Sequence, residues 1–172
     1  MKLFKTSLIL LLSILGLSFS FQKNNLKITT KDFKQLIGNW EGSLTYLDYS
    51  TAKPYTMPAN IEVIRIKKTN SYIFASKYPN EANANSSDTI TISKAGNFFG
   101  KEAVKAKKKL ANGDTEIITE ELGKDGNDDM PAIIRHTYTF GELSFCNKKE
   151  VQFIGKAEWI KRHEYSYKRK KA

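Results

Sequence analysis

From residue 40 onward, apolar and polar positions alternate. Trp40, Gly42, Leu44 and Tyr46 fall on one parity, with Glu41, Ser43 and Thr45 on the other, which is the period of a strand with one buried face. The same period runs through residues 61–67, through 71–78, where Tyr72, Phe74, Ser76 and Tyr78 share a face, and through 115–122. Shorter strands are predicted at 89–93 and 97–104, and three longer ones at 132–140, 143–153 and 157–168. Asn112-Gly113-Asp114 is a hairpin signal, and Gly, Asn, Asp, Pro or Ser clusters bound the other segments. One segment departs from this period. Residues 30–38 offer Thr30 as a cap, Asp32 in the first turn, Phe33, Leu36 and Ile37 on one face, and Gly38 as a stop, which predicts a short helical turn. With no internal repeat and no Gly/Ser linker, the pattern predicts an all-β fold. The expected architecture is an antiparallel, meandering (up-and-down) barrel of eight to ten strands behind an N-terminal helical turn. Closing the sheet removes edges that so strand-rich a chain must otherwise protect.

At 172 residues, 40% hydrophobic and 12% aromatic, the chain is sized for one domain with a buried core. Disordered, collagen-like and polytopic membrane classes are excluded. A single cysteine, Cys146, excludes an intramolecular disulfide framework. Residues 1–20 read as a secretory signal: Lys2 and Lys5, an apolar run over 7–17, then Ser18-Phe19-Ser20 with small residues where a signal peptidase reads. The apolar run falls short of the roughly 20 residues that span a bilayer, and no cysteine follows it for lipid attachment. Cleavage before Phe21 is expected, leaving residues 21–172 as one exported domain, periplasmic or extracellular.

The formal charge is +10, and two basic runs carry much of it. One holds Lys101, Lys105, Lys107, Lys108 and Lys109; the other holds Lys161, Arg162, Lys168, Arg169, Lys170 and Lys171. Such runs suit contact with an anionic surface, or serve as solvated strand edges. No nucleic-acid motif accompanies them.

A helical turn followed by Gly38-Asn39-Trp40 at the head of the first strand resembles the start of a lipocalin or wider calycin-type barrel. The resemblance implies that Trp40 closes the barrel base beneath a cation from the end of the last strand, for which Arg162, Lys168 and Arg169 are the candidates. Such stacking is worth about 0.5–2 kcal/mol. The disulfides of many secreted lipocalins and the second Thr-Asp-Tyr-type motif are absent. A group of haem-binding small barrels opens similarly, with Gly-x-Trp continuing Gly-x-Gly-x-Tyr; this chain keeps one of those glycines, Gly42, and Tyr46.

Both histidines follow an arginine. His136 shares parity with Ile134, Tyr138 and Phe140, and His163 with Trp159, Tyr165 and Tyr167, which places Arg135 and Arg162 on the opposite faces. If the aromatic faces line the interior, Tyr46, Tyr72, Phe74, His136, Tyr138, Trp159, His163 and Tyr165 surround an internal ligand. The same imidazoles serve equally as core residues satisfied by a hydroxyl or carbonyl. Asp125, Asn127 and Asp129 have the first spacings of a calcium loop, but Met130 stands at the sixth place and His136 at the twelfth. Two histidines and one cysteine make no zinc motif, and no nucleophile elbow occurs. No metal and no cofactor are expected, and no catalytic residue is assigned. The expected function is binding of a small apolar or amphipathic molecule inside the barrel. The alternatives are an enzyme using interior His and Arg, or surface contact through the basic C-terminal face.

Overall fold

The computed structural model describes residues 26–48 and 53–170. The signal sequence expected at 1–20 lies outside the described residues.

Ten antiparallel strands form one sheet: β1 (Gly38–Asp48), β2 (Lys53–Arg65), β3 (Ser71–Lys77), β4 (Ser86–Thr91), β5 (Phe98–Phe99), β6 (Glu102–Lys109), β7 (Thr115–Asp125), β8 (Met130–Phe140), β9 (Ser144–Phe153) and β10 (Ile160–Arg169). The order β4-β3-β2-β1-β10-β9-β8-β7-β6-β5 puts strands adjacent in sequence side by side, except β4 and β5 at its two ends, with β1 against β10. The two outer strands approach each other through the Ile92–Phe99 bridge, with Gly100 N donating to Thr91 O at 2.9 Å. The molecule is therefore a nearly closed up-and-down barrel.

The helical turn expected over residues 30–38 is not confirmed as such; the segment holds a single 3-10 turn at Lys34–Leu36. The backbone bonds of this segment run three residues back, from Asp32 N to Thr29 O, Lys34 N to Lys31 O and Leu36 N to Phe33 O. On its own a nine-residue segment is well below the roughly 12–15 residues at which an isolated helix becomes marginal, so packing decides its form. A 3-10 turn, by contrast, aligns positions i and i+3, which here are the fully buried Phe33 and Leu36. Thr30 does not cap. The turn has no side-chain cap; the Asp32 carboxylate instead accepts from Thr29 N at 2.7 Å and from the Thr29 hydroxyl at 3.0 Å. Phe33 plugs the barrel end, its ring 4.9 Å from Phe99, 5.5 Å from Tyr72 and 5.6 Å from Phe140.

β2 is longer than the pattern suggested, because Pro54 and Pro58 disguise its first half. β3 pairs only with residues 60–65 of β2, so Lys53–Ala59 are bonded to β1 alone. A proline without an N–H is tolerated along such a one-sided stretch.

The basic runs are largely laid against acids. Lys101 reaches Glu121 at 3.0 Å, Lys107 reaches Asp32 at 3.2 Å and Lys108 reaches Glu116 at 2.9 Å. Lys161 pairs with Glu164 at 2.9 Å and Lys170 with Glu41 at 2.7 Å. Exposed pairs of this kind add little stability, typically about 0–1 kcal/mol each. They do spread the positive charge among carboxylates along the strands.

Candidate functional site: a polar layer inside the barrel

Strand register defines the interior layer by layer. At the base, Trp40 is buried, its indole N–H donating to Leu36 O at 2.8 Å. The Arg169 guanidinium lies 4.1 Å from the Trp40 ring centroid. The same guanidinium donates to Glu142 O at 2.5 Å, to Ile37 O at 3.0 Å and to Gln35 O. Of the three cations expected there, Arg169 occupies the position. Gly38 makes room for it: its φ of 128° is left-handed, and a Cβ would come within 2.8 Å of the guanidinium. Above the base, Phe140, Phe145 and Tyr167 align across β8, β9 and β10, with Phe145 and Tyr167 stacked at 5.2 Å. This lower half is a packed aromatic core. Tyr72, Phe74 and Tyr138 belong to it, at 0%, 7% and 4% exposure. The Tyr72 hydroxyl is spent on Thr30 O at 3.1 Å. These three side chains serve as core.

The next layers up change chemistry. Register aligns Ile117, Tyr138, Asn147, Tyr165 and Leu44, and above them Thr119, His136, Lys149, His163 and Tyr46. Tyr165 meets Tyr78, which follows β3, hydroxyl to hydroxyl at 2.8 Å. The Thr119 hydroxyl donates to Glu102 Oε2, and His136 Nδ1 lies 3.0 Å from Glu102 Oε1, at ion-pair distance but without hydrogen-bond alignment. Burial alone would raise the Glu102 carboxyl. The imidazole of His136 and the hydroxyl of Thr119 outweigh it and hold the group below its ordinary range. Higher still, Asp125 receives Lys149 at 3.0 Å and Arg162 at 2.5 Å. These two cations hold the Asp125 carboxyl below its ordinary range against the effect of burial. The first residue of the calcium-like spacing thus faces two positive side chains.

β10 holds the main departure from the expected pattern. Its register with β9 shifts between Lys161 and His163. A bulge turns alternation over by one residue, so parity assigned backward from His163 fails beyond it. Arg162 therefore reaches the inner Asp125 and lies far from the Trp40 base. Trp159 leaves the interior and stacks outside under Arg135, whose guanidinium carbon is 3.6 Å from the ring centroid. Arg135 also holds Glu120, with Nε at 2.8 Å and Nη2 at 2.5 Å. Of the expected ligand-lining residues, Tyr46, His136, His163 and Tyr165 come together in the polar layers. Sequence parity missed Glu102, Thr119, Asn147 and Lys149, which read as ordinary strand polars until β7, β8 and β9 are set in register.

His163 also lines a pocket of about 180 Å³ where β1 and β10 part, together with Thr45, Tyr46, Leu47, Pro54, Lys161 and Arg162. Its ring meets Tyr165 edge-on at 5.3 Å. Burial, and then the neighbouring Lys149 and His136, push the imidazole down from 6.5 to about 4. The group is neutral at physiological pH. From pH 6.5 down to 4 the unfolded chain takes up a proton that the folded chain refuses. Stability is therefore flat above that window and falls through it, by up to about 3 kcal/mol from this group. Urea midpoints at pH 7, 5.5 and 4 should show this loss in the native chain and a smaller one in His163→Gln; equal slopes would contradict the assignment.

No protein-family model matches the chain, and no curated protein matches it in sequence. Among solved structures, one described as the crystal structure of Rv2717c from M. tuberculosis is similar at 12% identity with a TM-score of 0.49, covering 82% of this chain and 96% of that one.

Proposed function

We propose that this chain is an exported binding protein that holds a small amphipathic molecule in the upper half of its barrel. The reading rests on one observation above all: over a filled aromatic floor, the buried Thr119 and the half-buried Glu102, His136, Asn147, Lys149 and His163 gather on the inner face, a concentration of polar groups that a structural core does not need. A ligand held there buries its apolar part against Tyr46 and Tyr165 and its polar part against this layer. Export rests on the leader read at residues 1–20. The pairing of the lysines with acids favours an internal ligand over an anionic surface as the partner. Titration with the uncharged dye Nile red should give saturable one-site fluorescence enhancement that is lost in Tyr165→Ala. Enhancement that never saturates would count against an internal site.

A further inference from the structure

The chemistry of the polar layers also points to which polar end a ligand carries. We infer, building on the carrier reading, that the ligand presents an uncharged hydrogen-bond donor, an alcohol or a primary amide, to Asn147, and that a carboxylate-headed lipid is disfavoured.

Asn147 stands on the inner face of β9 between Tyr138 of β8 and Tyr165 of β10. Its Oδ1 is buried and has no hydrogen-bond partner among the described residues. A buried acceptor left unpaired costs about 1–3 kcal/mol, so a donor group is needed at that point. Neither flanking hydroxyl, that of Tyr138 or that of Tyr165, donates to it. Charges in the adjoining layers argue against an anion. The Glu102 side chain is only 13% exposed, and its partners are a hydroxyl and an imidazole rather than a permanent cation. The interior cations Lys149 and Arg162 both lie on Asp125, one at each of its oxygens. A ligand carboxylate would thus meet a buried carboxylate and cations already engaged, whereas an O–H or N–H donor would meet an acceptor in need of one.

The test is calorimetric titration of the full chain with three probes sharing one tail: 1-octanol, octanamide and octanoate at neutral pH. The expected result is that the alcohol and the amide bind at least tenfold more tightly than octanoate. Asn147→Leu should shrink that ratio several-fold by weakening the uncharged probes. Glu102→Gln, which keeps shape and removes charge, should shrink it by strengthening octanoate. The two variants act through different probes, so failure of one to fold leaves the other informative. Octanoate binding as well as octanol, or a ratio unchanged in the folded variants, would overturn this inference while leaving the carrier reading standing. If none of the three probes binds while Nile red does, this inference falls alone; if Nile red also fails to bind, the carrier reading falls with it.

Discussion

Trp40→Ala should lower the unfolding free energy by about 3–5 kcal/mol, the usual range for emptying a buried aromatic site. More than ring volume is involved. The indole joins the lead-in segment to the barrel through its bond to Leu36 O and supports the Arg169 guanidinium on its face. Without it, Arg169 loses the surface that holds it against Gln35, Ile37 and Glu142, and the plug formed by Phe33 and Leu36 loosens with it. Arg169→Ala should reproduce a large part of the loss, and the double variant should cost clearly less than the two single losses added, since both remove one shared contact. Chemical denaturation of the four proteins measures this. Full additivity would mean that the cation and the indole act independently, and that the base is not latched in this way.

Gly42→Ala is the second large effect, and it is steric. β1 approaches β10 so closely that a Cβ at Gly42 would stand 2.0 Å from Ser166 O and 2.8 Å from Tyr167 Cα. Both obstacles are backbone, so relief requires parting the strands at the seam where β1 pairs with β10 from Trp40↔Arg169 to Tyr46↔His163. The expected outcome is loss of several kcal/mol, or failure to accumulate folded protein; overpacking at more yielding sites costs about 1–3 kcal/mol. The control is Gly113→Ala at the β6–β7 turn, which has open space around it and a positive φ of 84°. There the cost is conformational only, about 1–2 kcal/mol. Near-native stability of Gly42→Ala, measured by thermal unfolding, would show that this seam yields easily.

These two residues show what the chain's pattern conveys. Trp40 and Gly42 lie on the buried parity of β1, and alternation alone assigns them inward. The same rule places His136 inward correctly, because β8 runs without a bulge from Ala132 to Phe140. It fails for Trp159 and Arg162 because parity holds only within an unbroken ladder, and the register shift before His163 has no marker in the local sequence. The helical turn expected over residues 30–38 shrinks to one 3-10 turn for a related reason. Phe33, Leu36 and Ile37 satisfy a helical face, but the spacing of the two buried residues is equally that of one 3-10 turn. Pro54 and Pro58 hid half of β2 because their tolerance depends on how far β3 extends, a tertiary property.

The candidate site was legible in part for the same physical reason. Histidines and tyrosines announce themselves by type, whereas Glu102, Thr119, Asn147 and Lys149 acquire meaning only from their neighbours on adjacent strands. Glu102 sits on β6, just before the irregularity between Val104 and Ala106. Its contact with His136, two strands away, follows from register and side-chain reach rather than from spacing along the chain.

Native mass spectrometry of the full chain, purified without detergent from cells that export it, tests the central claim most directly. The carrier reading predicts a stoichiometric adduct of one small molecule, released on denaturation and reduced in Asn147→Leu and Tyr165→Ala relative to the native chain. A native spectrum at the bare polypeptide mass, together with no saturable uptake of Nile red, octanol or octanamide, would contradict it and leave the polar layers as internal structure.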